Sequence, residues 1–195
     1  MNLKRLVELV DLALSSPSPE IVKNSEPYYS PYYQLMYLVA KDFMGDSYDG
    51  ASAALPICVE LGVEGGRGSF ALLQSGALVI GVDNNPDRKF VHADNKNFKM
   101  IIGSSLPPPK YVTDCGLGSI SLLHVDTEHS FAQAREEFNA YKPYLRDGAV
   151  VLFDDTNACE GEVKNYVESL PYDKFLDDRL HPSCGYMGMV YRVGG

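Results

Sequence analysis

The sequence predicts a doubly wound α/β domain, a mostly parallel sheet with helices on both faces, preceded by an N-terminal helical extension. Three observations carry this reading. From residue 56 onward, short apolar runs alternate with segments of helical spacing, the pattern of βαβ units. The runs are apolar throughout, as strands covered on both faces must be. Acidic residues recur at or just past the ends of these runs: Glu60, Asp83, Asp126, Asp154 and Asp155. In open α/β sheets ligands bind beyond the carboxyl ends of the strands, where the strand order reverses.

The elements follow in order. Leu3, Leu6, Val7, Val10 and Leu14 stand at helical spacing with charges between them, and Ser15 to Pro19 ends that helix. Ser30-Pro31 reads as an N-cap followed by proline at the first helical position, opening a helix from Tyr32 to about Met44. Gly45 to Gly50 is a loop, so residues 1–50 form an extension rather than an independent domain, and 51–195 form the ligand-binding domain. Pro56 to Leu61 is a first strand, Arg67 to Ser75 a helix, and Leu78 to Val82 a second strand. Met100 to Ile102 and Ile120 to Val125 are the third and fourth strands. Pro107 to Pro109 is a local stiff loop. Phe131 to Leu145 has helical spacing, Ala149 to Phe153 is a fifth strand, and Glu160 to Leu170 another helix. Phe175 to Asp177 and Met187 to Val193 supply late strands.

Composition narrows the function. The 195 residues carry 17 Lys+Arg against 26 Asp+Glu, a net charge of −9. That balance argues against nucleic-acid binding and against a polybasic membrane anchor. No apolar run of about 18 residues suggests a membrane span. Lys4, Arg5, Glu8 and Asp11 interrupt the N-terminal stretch, which therefore does not read as a secretory signal. The cysteines, Cys58, Cys115, Cys159 and Cys184, include no C-x-x-C pair. They read as reduced thiols of a cytoplasmic protein, with Cys58 in the core and spacings that point away from structural zinc.

A glycine-rich turn, Gly62-Val63-Glu64-Gly65-Gly66-Arg67-Gly68-Ser69, follows the first strand and opens a helix. Glycines permit a tight turn and close approach of a ligand to the backbone. A dinucleotide fingerprint competes. Counted from Gly62 it fails, because Glu64 would face a pyrophosphate. Counted from Gly66, the frame Gly66-Arg67-Gly68-x-x-Ala71 fits but begins about five residues past the strand, too late for the turn. Asp83, 21 residues after Gly62, is placed to accept hydrogen bonds from both hydroxyls of a ribose. Glu60 suits a cationic or amine-bearing group. Together they favour a nucleoside with a positive charge and no phosphate, the chemistry of S-adenosylmethionine.

Asp126 ends the fourth strand and Asp154-Asp155 the fifth. If those strands are neighbours, about 4.8 Å apart, the three carboxylates converge. Carboxylates so close repel unless protonated or bridged by a cation. Oxygen-only ligands suit Mg²⁺, Mn²⁺ or Ca²⁺. Separate solvated acids capping helices are the plainer alternative, Asp126 or Ser130 as N-cap of the Phe131 helix among them. His129 is a candidate general base, with a first-turn histidine paired to a carboxylate as the competing reading. His124, inside a strand, reads as packed, and His92 and His181 carry no signal.

Glu60-x-Gly62-x-x-x-Gly66-x-Gly68-Ser69, followed by Val79-Ile80-Gly81-Val82-Asp83, resembles the first two motifs of class I S-adenosylmethionine-dependent methyltransferases. The resemblance covers roughly residues 56–193 and implies a Rossmann-like fold. It also implies a glycine turn around the methionine part, Asp83 on the ribose, and Ser104 and Ser105 near the adenine. Asp126-x-x-His129-Ser130-Phe131, Tyr144 to Gly148, and Asp154-Asp155 together resemble the metal-dependent, macrocin-type O-methyltransferases and the related cephalosporin hydroxylase-like enzymes. That narrower resemblance makes Asp126, Asp154 and Asp155 ligands of Mg²⁺ or Mn²⁺. The chain departs from it in having Asp126-Thr127-Glu128-His129 for Asp-Gly-Asp-His and Asp147-Gly148 for Gly-Gly.

The expected activity is O-methylation of a hydroxylated small molecule, a sugar, diol or catechol, with Asp126 and His129 at the reacting oxygen. Three alternatives stay open: a metal-independent methyltransferase, a nucleotide-binding oxidoreductase using the Gly66 frame, and a non-catalytic cofactor-binding module. Tyr28, Tyr29, Tyr32, Tyr33 and Tyr37 cluster in the extension. Core or homodimer packing through the N-terminal helices is the favoured reading, and an aromatic lid over a sulfonium the other.

Overall fold

The computed structural model describes residues 1–25, 31–45, 54–87 and 94–194. Helix α1 (Leu3–Ser15) is capped by Asn2, whose side chain accepts from the Arg5 amide at 2.9 Å. It buries Leu6, Leu9, Val10 and Ala13. Val7 of the expected stripe is instead 41% exposed, and Leu9 takes its place in the core. Helix α2 (Pro19–Ser25), which the sequence reading does not assign, begins where the expected break ends, with proline at the first position, where its missing N–H costs nothing. Helix α3 (Pro31–Met44) buries Leu35, Met36, Val39 and Ala40. The expected cap Ser30 lies outside the described residues, as do Tyr28, Tyr29 and His92.

The remaining elements are β1 (Ile57–Leu61), α4 (Arg67–Gln74), β2 (Leu78–Asp83), β3 (Phe98–Ile102), α5 (Lys110–Asp114), β4 (Ile120–Val125), α6 (Phe131–Tyr141), β5 (Leu145–Asp154), α7 (Glu162–Ser169), β6 (Asp173–Leu176) and β7 (Tyr186–Val190). Helix α5 is absent from the sequence reading: it starts directly after Pro109 and is only five residues long. The expected helix 131–145 ends early, because Pro143 tightens residues 142–144 into a 3₁₀ turn.

Seven strands form one sheet in the order β3-β2-β1-β4-β5-β7-β6. The first five pair in parallel and β7 runs antiparallel to both neighbours. Successive residues of each central strand point to opposite faces. Cys58, Val79, Leu122 and Val150 pack with α1, α3 and α4 in one core. Val59, Ile80, Leu123 and Val151 pack with α5, α6 and α7 in the other. The N-terminal helices thus complete one of the two layers covering the sheet. The fold is the Rossmann-like, doubly wound arrangement expected, and the order reverses at β1, which has β2 on one side and β4 on the other. No helix among the described residues is long and apolar enough to cross a membrane.

Candidate active site

The carboxyl ends of β1, β2, β4 and β5 open into a cleft of about 1570 Å³. Gly62, Glu64, Gly65 and Arg67 of the glycine turn, with Asp83, Ser104, Ser105, Asp126, His129, Asp154 and Asp155, reach its wall.

Backbone hydrogen bonds tie the strand ends together. The Gly62 amide donates to the Val82 carbonyl and the Asp126 amide to the Leu61 carbonyl, each at 2.9 Å. Gly62 has φ +82°, and a Cβ there would lie 1.7 Å from the Asp126 carbonyl oxygen. Only glycine admits that approach. Asp83 Oδ2 accepts from the Val63 and Glu64 amides at 3.1 and 2.9 Å, and Oδ1 from the Asn85 amide at 2.8 Å. Asp83 therefore clasps the glycine turn while facing the cleft. A carboxylate offers about four acceptor positions, so capacity for a ligand hydroxyl remains.

Glu60 sits behind this wall, 2% exposed. It accepts a hydrogen bond from the Ser69 hydroxyl and lies 3.4 Å from His124 Nδ1, a charge contact too long for a well-aligned hydrogen bond. A Cβ at Gly68 would fall 1.9 Å from Glu60 Oε1. Gly68 and Ser69 thus make room for Glu60 and hold it, and Gly66 caps α4 with φ +80°. Ser69 and Gly66 thus serve the turn, and Gly68 borders a small recess that opens beside the cleft. Glu60 itself borders this recess beside Tyr32, Tyr33 and Asp126. His124 is packed, as expected. Burial opposes its charge, but Glu60, Asp126 and Asp154 outweigh that and raise its pKa.

β4 and β5 are neighbours, so Asp126 comes close to both Asp154 and Asp155. Burial, then the charge of Asp154, holds the Asp126 carboxyl well above the usual carboxylate range. Asp154, 3% exposed, accepts through Oδ1 from the Asp155 amide at 2.8 Å and contacts His181 Nδ1 at 2.7 Å. Asp155 adopts φ +51°, a left-handed conformation that Asp tolerates better than most residues. Its Oδ2 lies 3.0 Å from His129 Nε2. Its Oδ1 is shut from solvent with no hydrogen-bond partner among the described residues. Asp126 pairs with Asp154 in one group of close donors and with Asp155 in another, and each group includes a histidine, His124 or His129.

Ser105 donates to Glu137 Oε1 at 2.6 Å, and Thr127 donates to Oε2 at 2.8 Å. Gln133 also donates to Oε1, at 2.9 Å. Glu137, fully buried, thereby joins the loops after β3 and β4. Ser104 is engaged with Leu106 in its own loop.

The sequence reading missed His181 and Gln133, and it favoured core or dimer packing for Tyr32 and Tyr33, which also line the cleft. His181 comes from the β6–β7 loop, and no local pattern marks it. Burial opposes its charge, but the hydrogen bond to Asp154 and the charges of Asp155 and Asp126 raise its pKa. Tyr32 stacks on Tyr186 at 4.9 Å and lies 5.1 Å from the His181 ring. Burial, then Asp154, keeps its hydroxyl un-ionised. The tyrosines are thus both core and cleft wall.

A family profile described as a methyltransferase domain matches residues 59–156, half of the chain. No curated protein sequence matches it. Solved structures share the fold at low identity. A methyltransferase from Geobacter sulfurreducens is 13% identical with TM-score 0.64, over 99% of this chain and 100% of that one. An O-methyltransferase from Bacillus cereus in complex with SAH is 14% identical with TM-score 0.57, over 97% and 90%. MycE, a methyltransferase of the mycinamycin biosynthetic pathway in complex with Mg, SAH and mycinamycin VI, is 16% identical with TM-score 0.59, over 91% and 54%.

Proposed function

The chain belongs to the methyltransferase domain family, and from that premise we propose that it is an S-adenosylmethionine-dependent O-methyltransferase using a divalent cation. The observation that carries the finer reading is the approach of Asp126 to both Asp154 and Asp155 in the cleft wall beside the glycine turn. Asp126 is held protonation-prone by burial and by the charge of Asp154, and Asp155 keeps one sealed oxygen with no hydrogen bond among the described residues. Such a set fits a cation, which relieves both. MycE, which shares the fold, was solved with Mg and SAH. The oxidoreductase reading falls with the family match.

In this reading Asp83 and the turn amides hold the nucleoside, with Ser104, Ser105 and Gln133 beside its base. Tyr32 and Tyr33 supply apolar, un-ionised faces next to the sulfonium. When bound, a divalent cation supplies positive charge that acidifies a substrate hydroxyl. His129, whose Nε2 lies 3.0 Å from Asp155 Oδ2, accepts the hydroxyl proton at its other ring nitrogen, Nδ1, and Asp155 stabilises the imidazolium that results. The methyl carbon–sulfur bond breaks as the carbon–oxygen bond forms, and the thioether nucleoside leaves. The cleft's contribution is to hold oxygen, methyl and sulfur in line. A sugar, diol or catechol is the acceptor class we propose, since a cation held by Asp126, Asp154 and Asp155 would favour a hydroxyl-rich substrate.

Calorimetric titration with S-adenosylhomocysteine and with Mg²⁺ tests both halves. Nucleoside binding, and a separate Mg²⁺ heat lost in Asp154→Asn, are expected. His129→Ala is expected to lower kcat by about 10²-fold or more while nucleoside affinity stays near wild type. Absence of nucleoside binding overturns the cofactor assignment. Mg²⁺ binding unchanged by Asp154→Asn overturns the cation site.

A further inference from the structure

The loop between β6 and β7 brings two donors to Asp155 that no feature of the sequence pairs with it. Ligand atoms of Asp155, His181 and Cys184 all lie within 4.8 Å of one another. The loop is locked against the end of β5. The Asn157 amide donates to the Cys184 carbonyl at 2.7 Å, and the Thr156 amide to the Gly185 carbonyl at 3.3 Å. Gly185, at φ +81°, lets the two turns touch, since a Cβ there would stand 2.6 Å from Thr156 Oγ1. The His181 carbonyl accepts from the Cys184 and Gly185 amides at 3.2 and 2.8 Å, which sets the turn between histidine and cysteine. The sealed, unpartnered Asp155 Oδ1 is 3.9 Å from His181 Nδ1. The carboxylate, the imidazole and the unpaired thiol of Cys184 thus present an oxygen, a nitrogen and a sulfur donor to one point.

We propose that Asp155, His181 and Cys184 form a binding site for a thiophilic divalent cation of the zinc class. Imidazole and thiolate favour Zn²⁺ or Co²⁺ strongly over Mg²⁺, whose preferred ligands are oxygens. Three protein donors leave a fourth tetrahedral position open. The inference rests on the reading of Asp155 as a cation ligand and shares that residue with the carboxylate set. Occupancy by a zinc-class ion therefore withdraws Asp155 from Asp126 and Asp154, and the two ions compete. Zn²⁺ becomes an antagonist of the Mg²⁺ form.

Co²⁺ titration followed by absorption spectroscopy tests this, in a Cys159→Ser background because Cys159 is exposed. A thiolate-to-cobalt charge-transfer band is expected, saturating at one ion per chain. Cys184→Ser abolishes the band, and His181→Ala weakens Co²⁺ affinity about 10- to 100-fold or more. Excess Mg²⁺ raises the Co²⁺ concentration needed for saturation. No band in the parent, or a band and affinity unchanged by Cys184→Ser, overturns the proposal. Asp126→Asn separates the two readings. It leaves the cobalt band in place while removing Mg²⁺ binding, and Mg²⁺ binding that survives it counts against the carboxylate site alone.

Discussion

Two residues at the cleft show how position converts an ordinary side chain, or none, into a requirement. Gly62 combines φ +82° with a carbonyl oxygen 1.7 Å from where a Cβ would stand. Gly62→Ala must strain the turn and push β4 away from β1. A loss of about 3 kcal/mol or more in unfolding free energy is expected, measured by urea denaturation. Asp83 accepts from three backbone amides before any ligand arrives. In Asp83→Asn an amide N–H₂ meets donors it cannot pair with. Affinity for S-adenosylhomocysteine should fall roughly 10- to 100-fold, the worth of one or two hydrogen bonds to a charged group. Unchanged affinity in calorimetry removes Asp83 from the nucleoside site. His181 marks the limit of residue-level reading: its meaning comes from Asp154, 27 positions away and 2.7 Å distant.

At the scale of elements, the loops after β3 and β4 are held by a single side chain from α6. Glu137 accepts from Ser105, Thr127 and Gln133 and has no exposed surface. Glu137→Gln keeps the shape but puts an N–H₂ in place of one accepting oxygen, facing either Thr127 or the pair Ser105 and Gln133. It should destabilise the fold by about 2–3 kcal/mol and loosen both loops. Faster amide hydrogen exchange at residues 104–106 and 126–128, relative to the sheet, is the check. Element existence was legible in the sequence because apolar runs and helical spacing report burial directly. Boundaries were less so. Pro143 ended α6 early, and the short α2 and α5 carry too few turns for periodicity to reveal them. Val7 and Leu9 exchanged roles because two positions of similar hydropathy flank the same stripe, and only packing against α3 chooses between them.

At the scale of the molecule, a chain of net charge −9 gathers three of its carboxylates in the wall of one cleft. That arrangement lowers stability on its own and invites a cation. An ion that binds only the folded chain at about 100 times its Kd adds about 2.7 kcal/mol. For a chain of this size that is a rise of roughly 5–10 °C in melting temperature. Mg²⁺ is expected to give this rise in the wild type, EDTA to reverse it, and Asp154→Asn to abolish it in a thermal scan. No rise in the wild type removes the cation site.

The sequence by itself determined the fold class, the glycine turn, Asp83 and the three clustered acids. Each of these is written in local runs: apolar strands, turn glycines, and acids at strand ends. A parallel sheet carries such ends to one edge whatever the details. Only the tertiary structure decided that Glu60 and Ser69 face each other behind the turn, that Tyr32 walls the cleft, and that His181 and Cys184 stand beside Asp155. Those pairings join elements far apart in the chain. They depend on the order β5-β7-β6 and on how tightly one loop can press against another, and no spacing along the chain encodes that distance.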